Sequence, residues 1–395
     1  MRGGNAAAQT VAPPAASALT RRGQRPPVVT PNGTSMPFTM KDGVKEFRII
    51  AEPLKKEFAP GMVVDCWGYN GSSPGPTIEA VEGDRVRLFV TNHLPERTSI
   101  HWHGFLLPNG MDGVSGLTQP HINPGETYVY EFTLRQHGTL MYHPHSDEMV
   151  QMALGMMGFF IIHPKNAEPV DRDFAIMLHE WSIPPGTSRP NPAVMTDFNI
   201  FTFNSRVWPG TDPLVVKQGD RVRIRLGNLS MDSHPIHIHG HQFEVTGTDG
   251  GTIQPSARFR EVTHDVPVGA TRDIELIADA PGDWSFHCHK SHHTMNAMNH
   301  DMPNMIGVKS ASATAAEKMR SVLPAYMAMG ETGMGNMMMM GHPKNTLPMM
   351  SGKGPYGDIE MGGMFTVLKV RAGITSYEDP GWYSPPPGTV ARKVT

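Results

Sequence analysis

The chain reads as an all-β protein built from two tandem copies of one strand-rich domain, and three features carry that expectation. Gly and Pro supply 41 and 36 of the 395 residues, roughly a fifth of the chain against about 12% on average. That punctuation suits many short strands and turns better than long helices. Period-two alternation recurs, as in Arg85-Val86-Arg87-Leu88-Phe89-Val90 and Thr127-Tyr128-Val129-Tyr130-Glu131-Phe132. Turns such as Ser73-Pro74-Gly75-Pro76 and Asn123-Pro124-Gly125 separate the runs. Third, the chain repeats itself. Gly83-Asp84-Arg85-Val86-Arg87 returns as Gly219-Asp220-Arg221-Val222-Arg223, an offset of 136, and Gly125-Glu126-Thr127 returns as Gly269-Ala270-Thr271, an offset of 144.

These features divide the chain. Residues 1–43 are rich in Ala, Pro, Thr and Arg without apolar periodicity, so they are expected to form a disordered N-terminal segment. The first domain is expected over 44–165 and the second over 171–310. Residues 311–395 form a Met-rich tail whose one convincing strand, Phe365-Thr366-Val367-Leu368-Lys369-Val370, is expected to rejoin the second domain. Arg21-Arg22 is a twin-arginine pair of the kind found in export signals, but the polar, Pro-rich stretch from Gly23 to Pro27 stands where an apolar run would follow. No run of 18 apolar residues occurs, so no membrane span is expected. A net charge of -3 without a dominant basic patch argues against nucleic acid as a partner.

The histidines carry the chemistry. There are 20 of them, beside 29 methionines and two cysteines, Cys66 and Cys288. Adding 136 to His101, His103 and Gly104 gives His237, His239 and Gly240; adding 144 to His143 and His145 gives His287 and His289. In a strand, residues i and i+2 share a face, so each HxH presents two imidazoles together. A single metal rarely takes more than about four protein ligands, so eight converging histidines imply a cluster. Neutral imidazole suits copper, zinc, iron and nickel. Scattered core or surface histidines would account for one HxH pair but not for four in repeat register.

Cys288 lies between His287 and His289. Alternation turns its sulfur to the opposite face, so one short segment can bind metal on both sides. His293 follows Cys288 by five residues and Met298 by ten, and His234 precedes His237 by three. Two histidines and a cysteine with a weak axial methionine form the blue-copper pattern, with a soft thiolate held deprotonated by the metal. An electron entering there can leave along the Cys288 backbone toward His287 and His289. Cys66 reads as a small buried apolar residue in a strand. A single disulfide between the two cysteines is the alternative, which the position of Cys288 between two histidines disfavours.

The segments His101-Trp102-His103-Gly104, His143-Pro144-His145, His234-Pro235-Ile236-His237-Ile238-His239-Gly240-His241 and His287-Cys288-His289 with His293 and Met298 resemble the four copper motifs of the multicopper oxidases, the laccases and their relatives. The resemblance spans about residues 45–310. It implies cupredoxin-like Greek-key β-barrels and four coppers per chain, one type 1, one type 2 and two type 3. His101 and His237 would bind the type 2 copper. His103, His143, His145, His239, His287 and His289 would bind the type 3 pair. His234, Cys288, His293 and Met298 would hold the type 1 copper. His292 adjoins His293, but the spacing favours His293, and Met295 and Met302 are weaker axial candidates than Met298. His121 and His241 have no assigned role.

The first-domain counterparts of His234, Cys288 and His293 are Thr98, Pro144 and Met149, none of which can replace them. The chain therefore resembles the two-domain laccases with the type 1 copper in the second domain. That type implies a homotrimer whose three-copper clusters form between domain 1 of one subunit and domain 2 of the next. The implied activity is one-electron oxidation of phenols, aromatic amines or metal ions such as Cu(I), coupled to four-electron reduction of dioxygen to water. Electron donors would approach near His293 or His234, Cys288 would pass the electron on, and Asp112 would relay protons; a plain turn aspartate before Gly113 is the other reading. The family implies a periplasmic or secreted location and a link to copper resistance. A copper-containing nitrite reductase and a copper-binding or storage protein are the alternatives. Twelve methionines between Met319 and Met364 fit either Cu(I) binding by soft thioethers or adaptable apolar packing.

Overall fold

A computed structural model describes residues 9–11, 25–166, 169–184, 186–295, 321–322, 345 and 352–394. The α-helix Glu148–Ala153 is a single short segment, and among the described residues no helix is long and apolar enough to cross a membrane. Each half of the chain forms two sheets. In the first half, one sheet runs Gln9–Val11, Phe38–Lys41, Val44–Ala59, Arg85–Asn92 and Thr127–Thr133, with Met62–Tyr69 also paired to Val44–Ala59. The facing sheet runs Gly75–Val81, Gly158–His163, Gly138–His143 and His101–His103. In the second half, the larger sheet runs Ile200–Phe203, Arg172–Trp181, Arg221–Asn228, Thr271–Ile277, Phe243–Thr248 and Gly251–Thr252. The smaller runs Leu214–Lys217, Phe365–Arg371, Gly282–Cys288, His234–Ile238 and Thr263–Val266.

The sequence repeat is a repeat of pairing. Arg85–Asn92 runs parallel to Val44–Ala59 and antiparallel to Thr127–Thr133. Arg221–Asn228 runs parallel to Arg172–Trp181 and antiparallel to Thr271–Ile277. Phe365–Arg371 occupies in the second half the place of Gly158–His163 in the first: Val370 opposes Val216 as Ile162 opposes Ala80. Alternation does what the pattern requires. Val86, Leu88 and Val90 are buried in the first core with Phe47, Ile49, Trp102 and Phe160. Val222, Ile224 and Leu226 are buried in the second with Phe174, Phe243 and Phe286.

Among the strands that break the alternation, two line the boundary between the halves. Every residue of Gly158–His163 and of Arg172–Trp181 is buried. Phe160 and Ile162 face the first core, and Phe174, Ile176 and Leu178 face the second. Their other faces meet: Phe159 and Ile161 pack with Ala175 and Met177, joined by Met141, Met157 and Leu229. A strand buried on both sides reads as a continuous apolar run, which Gly158-Phe159-Phe160-Ile161-Ile162 is.

Charge crosses the same boundary. Arg225 donates to Asp173 through Nε at 2.7 Å and Nη2 at 2.8 Å, and to Thr139 of the first half at 2.7 Å. His163 sits 2.8 Å from Glu79. Burial pushes the Asp173 carboxyl up, but Arg225 and Arg223 more than offset it, so it lies below the usual carboxylate range.

Residues 25–43 are not the structureless lead-in expected over 1–43. Val28–Val29 pairs in parallel with Asp173 and Phe174 of the second half, and Phe38–Lys41 pairs with Val44–Glu46 of the first. Between them, Thr30 bonds Thr77 at 2.6 Å, and Asn32 and Asp212 exchange hydrogen bonds of 2.9 and 2.8 Å. Hydrogen bonds to residues far along the chain hold a segment that has no periodicity of its own. Residues 12–24, with Arg21 and Arg22, lie outside the described residues, as do 311–320, 323–344 and 346–351 of the Met-rich tail.

Truncating one partner of a buried ion pair leaves the other charge unpaired, which costs about 3–5 kcal/mol. Arg225→Ala is therefore expected to lower stability by that amount in urea denaturation. The depressed Asp173 carboxyl contributes stability above its unfolded pKa of about 3.9, and that contribution fades as pH falls through the lower native value. A change in Arg225→Ala below about 1 kcal/mol would show the pair to be dispensable.

Candidate metal centres

The two short HxH strands are set by pairing. His101 stands opposite His143, and His237 stands opposite His287. Trp102, between the first two histidines, is fully buried in the first core, which turns His101 and His103 to the other face. The four rings of the first half meet one another: His101 lies 5.8, 5.3 and 5.5 Å from His103, His143 and His145. The second half repeats this, with His237 at 4.9, 5.5 and 5.2 Å from His239, His287 and His289. His103 Nδ1 and His143 Nε2 are 3.2 Å apart, as are Nε2 of His239 and of His287. Among the described residues, no ring of one set meets a ring of the other.

Backbone carbonyls orient the rings. With the proton on Nδ1, His101 donates to the Asp112 carbonyl at 2.7 Å and His237 to that of Val262 at 2.7 Å. His143 and His287 donate to Pro144 and Cys288 at 2.9 and 2.8 Å. Each such bond leaves Nε2 free to bind metal. Gly113 has φ +90°, and a Cβ there would strike the Ile100 carbonyl, so the Asp112-Gly113 turn needs its glycine to bring the carbonyl onto His101. The Asp112 carboxylate lies 3.5 Å from the same nitrogen. Burial lowers His143 to about 3 and His287 to about 4, so both rings are neutral donors. Glu148, which the sequence reading missed, stands 3.5 Å from His143 and 3.7 Å from His145. The second-half set opens on a cavity of about 860 Å³ lined by His237, His239, His241, Glu244, Arg260 and Asp279.

On the other face of Gly282–Cys288 a different donor set is buried. Cys288, His234 and His293 each have no exposed surface. The Cys288 Sγ lies 3.8 Å from His234 Nδ1 and 3.6 Å from His293 Nδ1, and the two nitrogens are 3.0 Å apart. Donors about 2.0–2.3 Å from one metal stand roughly 3–4 Å from each other, so the three atoms fit a single ion. A soft sulfur with two imidazoles suits copper, as it does zinc. Burial pushes the Cys288 thiol up to about 12, and binding a cation there must displace its proton. Burial likewise lowers His234 to about 3 and His293 to about 2.

The surroundings hold this geometry. The His293 ring stacks on Phe201 at 4.1 Å, and His234 Nε2 meets Ser230 Oγ at 2.8 Å. Gly363, at φ +55°, leaves no room for a Cβ beside the His293 carbonyl. There Met364 donates to the His293 carbonyl at 3.0 Å, and Cys288 donates to that of Met364 at 3.1 Å. Met364 is buried in the same apolar cluster as Cys288. Met298 and Met302 lie outside the described residues. His292 is exposed, with its ring 4.3 Å from His293, and Met295 is half-buried. His121 contacts Ser146 at 2.8 Å, and His241 contacts the His239 carbonyl at 3.2 Å. Both cysteines are free thiols, and Cys66 is buried with Phe58, Val64 and Trp181.

A carboxylate missed in the sequence sits behind the two imidazoles. Glu180 Oε1 lies 3.7 Å from His234 Nε2 and 3.8 Å from His293 Nε2, and Asp232 Oδ2 lies 3.9 Å from His293 Nε2. Burial, then the nearby Asp232, push the Glu180 carboxyl up to about 7. It lies 54 residues from His234 in sequence numbering, counted as 234 less 180, so spacing along the chain gave no signal.

Two family models, both described as multicopper oxidase, match residues 52–167 and 184–307. Copper resistance protein A of Escherichia coli is 47% identical over 115 residues, covering 29% of this chain and 19% of that protein. Laccase-2 of Botryotinia fuckeliana is 30% identical over 306 residues, covering 67% of this chain and 51% of that protein. The chain thus spans about half or less of the length of these curated relatives. The crystal structure of a blue copper oxidase from Nitrosomonas europaea superposes with a TM-score of 0.62 at 27% identity, covering 82% of this chain and 85% of that one. With the multicopper oxidase models on both halves and the donor sets built on cupredoxin-like barrels, this chain belongs to the multicopper oxidases as a two-domain member.

Proposed function

We propose that the protein is a laccase-like oxidase holding four coppers per chain. It would take single electrons from phenols, aromatic amines or metal ions such as Cu(I) and reduce dioxygen to water. One observation carries this reading. The strand Gly282–Cys288 presents a buried sulfur with two imidazole nitrogens on one side and His287 among three further imidazoles on the other. Copper bound at these donors supplies one-electron redox chemistry and the binding of dioxygen. His234, Cys288 and His293 would hold the type 1 ion. Met298 is the proposed axial ligand, and Met364, buried beside Cys288, is a second candidate. His101 and His237 would hold type 2 copper; His103, His143, His145, His239, His287 and His289 would hold the type 3 pair.

The chain's own residues set the conditions. Cys288 is bonded through the backbone to His287 and His289, which gives an electron a covalent path between the two donor groups. Neutral imidazoles need lose no proton to bind metal. Each half of the chain offers four cluster histidines, and the two sets do not meet within it. A second copy facing its first-domain set toward this chain's second-domain set would complete the eight, and head-to-tail repetition would close as a homotrimer. Asp112, beside His101, is the proposed proton relay. The copper resistance relative favours a periplasmic or secreted role in copper handling. Met319 to Met350, outside the described residues, would then bind Cu(I) as substrate.

The purified protein is expected to carry four coppers per chain with an intense thiolate-to-copper band. Cys288→Ser should abolish that band and donor oxidation while keeping the other three coppers. Four coppers without a visible band would refute the assignment. Asp112→Asn keeps the backbone carbonyl that orients His101, so it should load copper normally but reduce dioxygen about 10²-fold or more slowly. Unchanged turnover would remove Asp112 from the proton path. Deleting 331–350 should slow Cu(I) oxidation far more than phenol oxidation, and equal losses would argue for a packing role.

A further inference from the structure

The His293 ring carries an aromatic contact that the reaction as described does not use. Phe201 lies nearly parallel to it, with ring centroids 4.1 Å apart and planes 14° from each other. Phe201 is 2% exposed and His293 has no exposed surface, so water does not screen the stack. The fold wedges Phe201 in place. Its strand, Ile200–Phe203, pairs antiparallel with Arg172–Trp181. Alternation sends Phe201 and Phe203 into the second core, where Phe203 meets Phe286 of the Cys288 strand at 5.9 Å. Ile200, on the other face, packs with Phe58 and Trp181. On its far side the imidazole is met edge-on by His292, at 4.3 Å and 80°. The His293 ring therefore cannot turn off the phenyl face.

An aromatic face is electron-rich and attracts positive charge. An imidazole bound to copper shares more positive charge with Cu(II) than with Cu(I). A phenyl face laid on that imidazole therefore favours the oxidised ion over the reduced one. We propose that Phe201, stacked on the buried His293 ring, sets the reduction potential of the type 1 centre and with it the range of donors that the protein oxidises. It holds the potential below the value that the ligands alone would give. Phe201 is a positioning residue that acts through His293. It supplies no ligand atom and no charge, so copper binds without it. The electron passes from donor to type 1 centre as before, and no bond forms or breaks in the stack. A lower potential suits electron-rich phenols and aromatic amines and slows electron-poor ones. The inference rests on the type 1 reading of His234, Cys288 and His293.

The test follows the thiolate band of the copper-loaded full chain through a redox titration. Phe201→Leu keeps an apolar side chain but loses the face. It should shift the Cu(II)/Cu(I) equilibrium about fivefold toward Cu(I), the scale of one cation–π contact. That shift is a rise in midpoint of about 40 mV, since a tenfold change is about 59 mV for one electron. Mono-, di- and pentafluorophenylalanine placed at position 201 drain the ring face at nearly constant shape, so they should raise the midpoint stepwise. Copper content should stay that of the parent throughout. The kcat/KM for electron-poor phenols should rise relative to electron-rich ones in step with the midpoint. An unchanged or lower midpoint in Phe201→Leu, or a fluorinated series with a fixed midpoint, would overturn the proposal. The fluorinated series decides the matter alone if Phe201→Leu does not fold. Absence of the thiolate band from the parent protein would overturn the type 1 reading itself, and the proposal with it.

Discussion

Alternation along the strand Gly282–Cys288 ties two kinds of donor to one piece of backbone. Cys288 points into the second core while His287 points out of it, because successive residues of a strand face opposite ways. The strand cannot slip. Phe286 and Cys288 are buried against Ile236 and Ile238, and a shift by one residue would turn every side chain to the wrong face. Backbone bonds fix its end on both sides, from Cys288 to the Met364 carbonyl at 3.1 Å and from His289 to the Pro235 carbonyl at 2.7 Å. The same alternation brings His237 opposite His287.

Dryness is the second element of the design. The thiol and the imidazoles of the buried group are removed from water, so they rest neutral and close together. Such a group gains more from a soft cation than an exposed one does, because the metal replaces lost solvation as well as binding the donors. The first half treats the equivalent volume differently. Thr98, in the place of His234, donates to the buried Gln151 at 2.6 Å, and Pro144 stands where Cys288 would. A neutral hydrogen-bonded pair fills the space, and no donor set forms there.

The boundary between the halves keeps the two half-sets in a fixed relation. The apolar faces of Gly158–His163 and Arg172–Trp181 interlock, Arg225 reaches Thr139 across the seam, and the segment 25–43 is stitched to both sides. Gly269 of the second half packs against His103 of the first. A rigid angle between the halves is what the proposed ring of copies would need, since an error in it would be multiplied around such an assembly.

Much of this was legible in the residues alone. The HxH pairs, Cys288 with His293, the repeat offsets and the alternating runs are local properties, and a strand's period of two converts them directly into faces. The final strand was legible for the same reason. What local pattern could not supply was set by packing between distant parts. Val28 finds Asp173, Arg225 finds Thr139, Glu148 comes beside His143 and His145, and Glu180 comes to lie behind His234 and His293. None of these partners shares a period or a spacing with its neighbour. The sequence by itself determined which atoms could bind metal. The tertiary fold decided which of them meet, because desolvation and charge act through space and take no account of position along the chain.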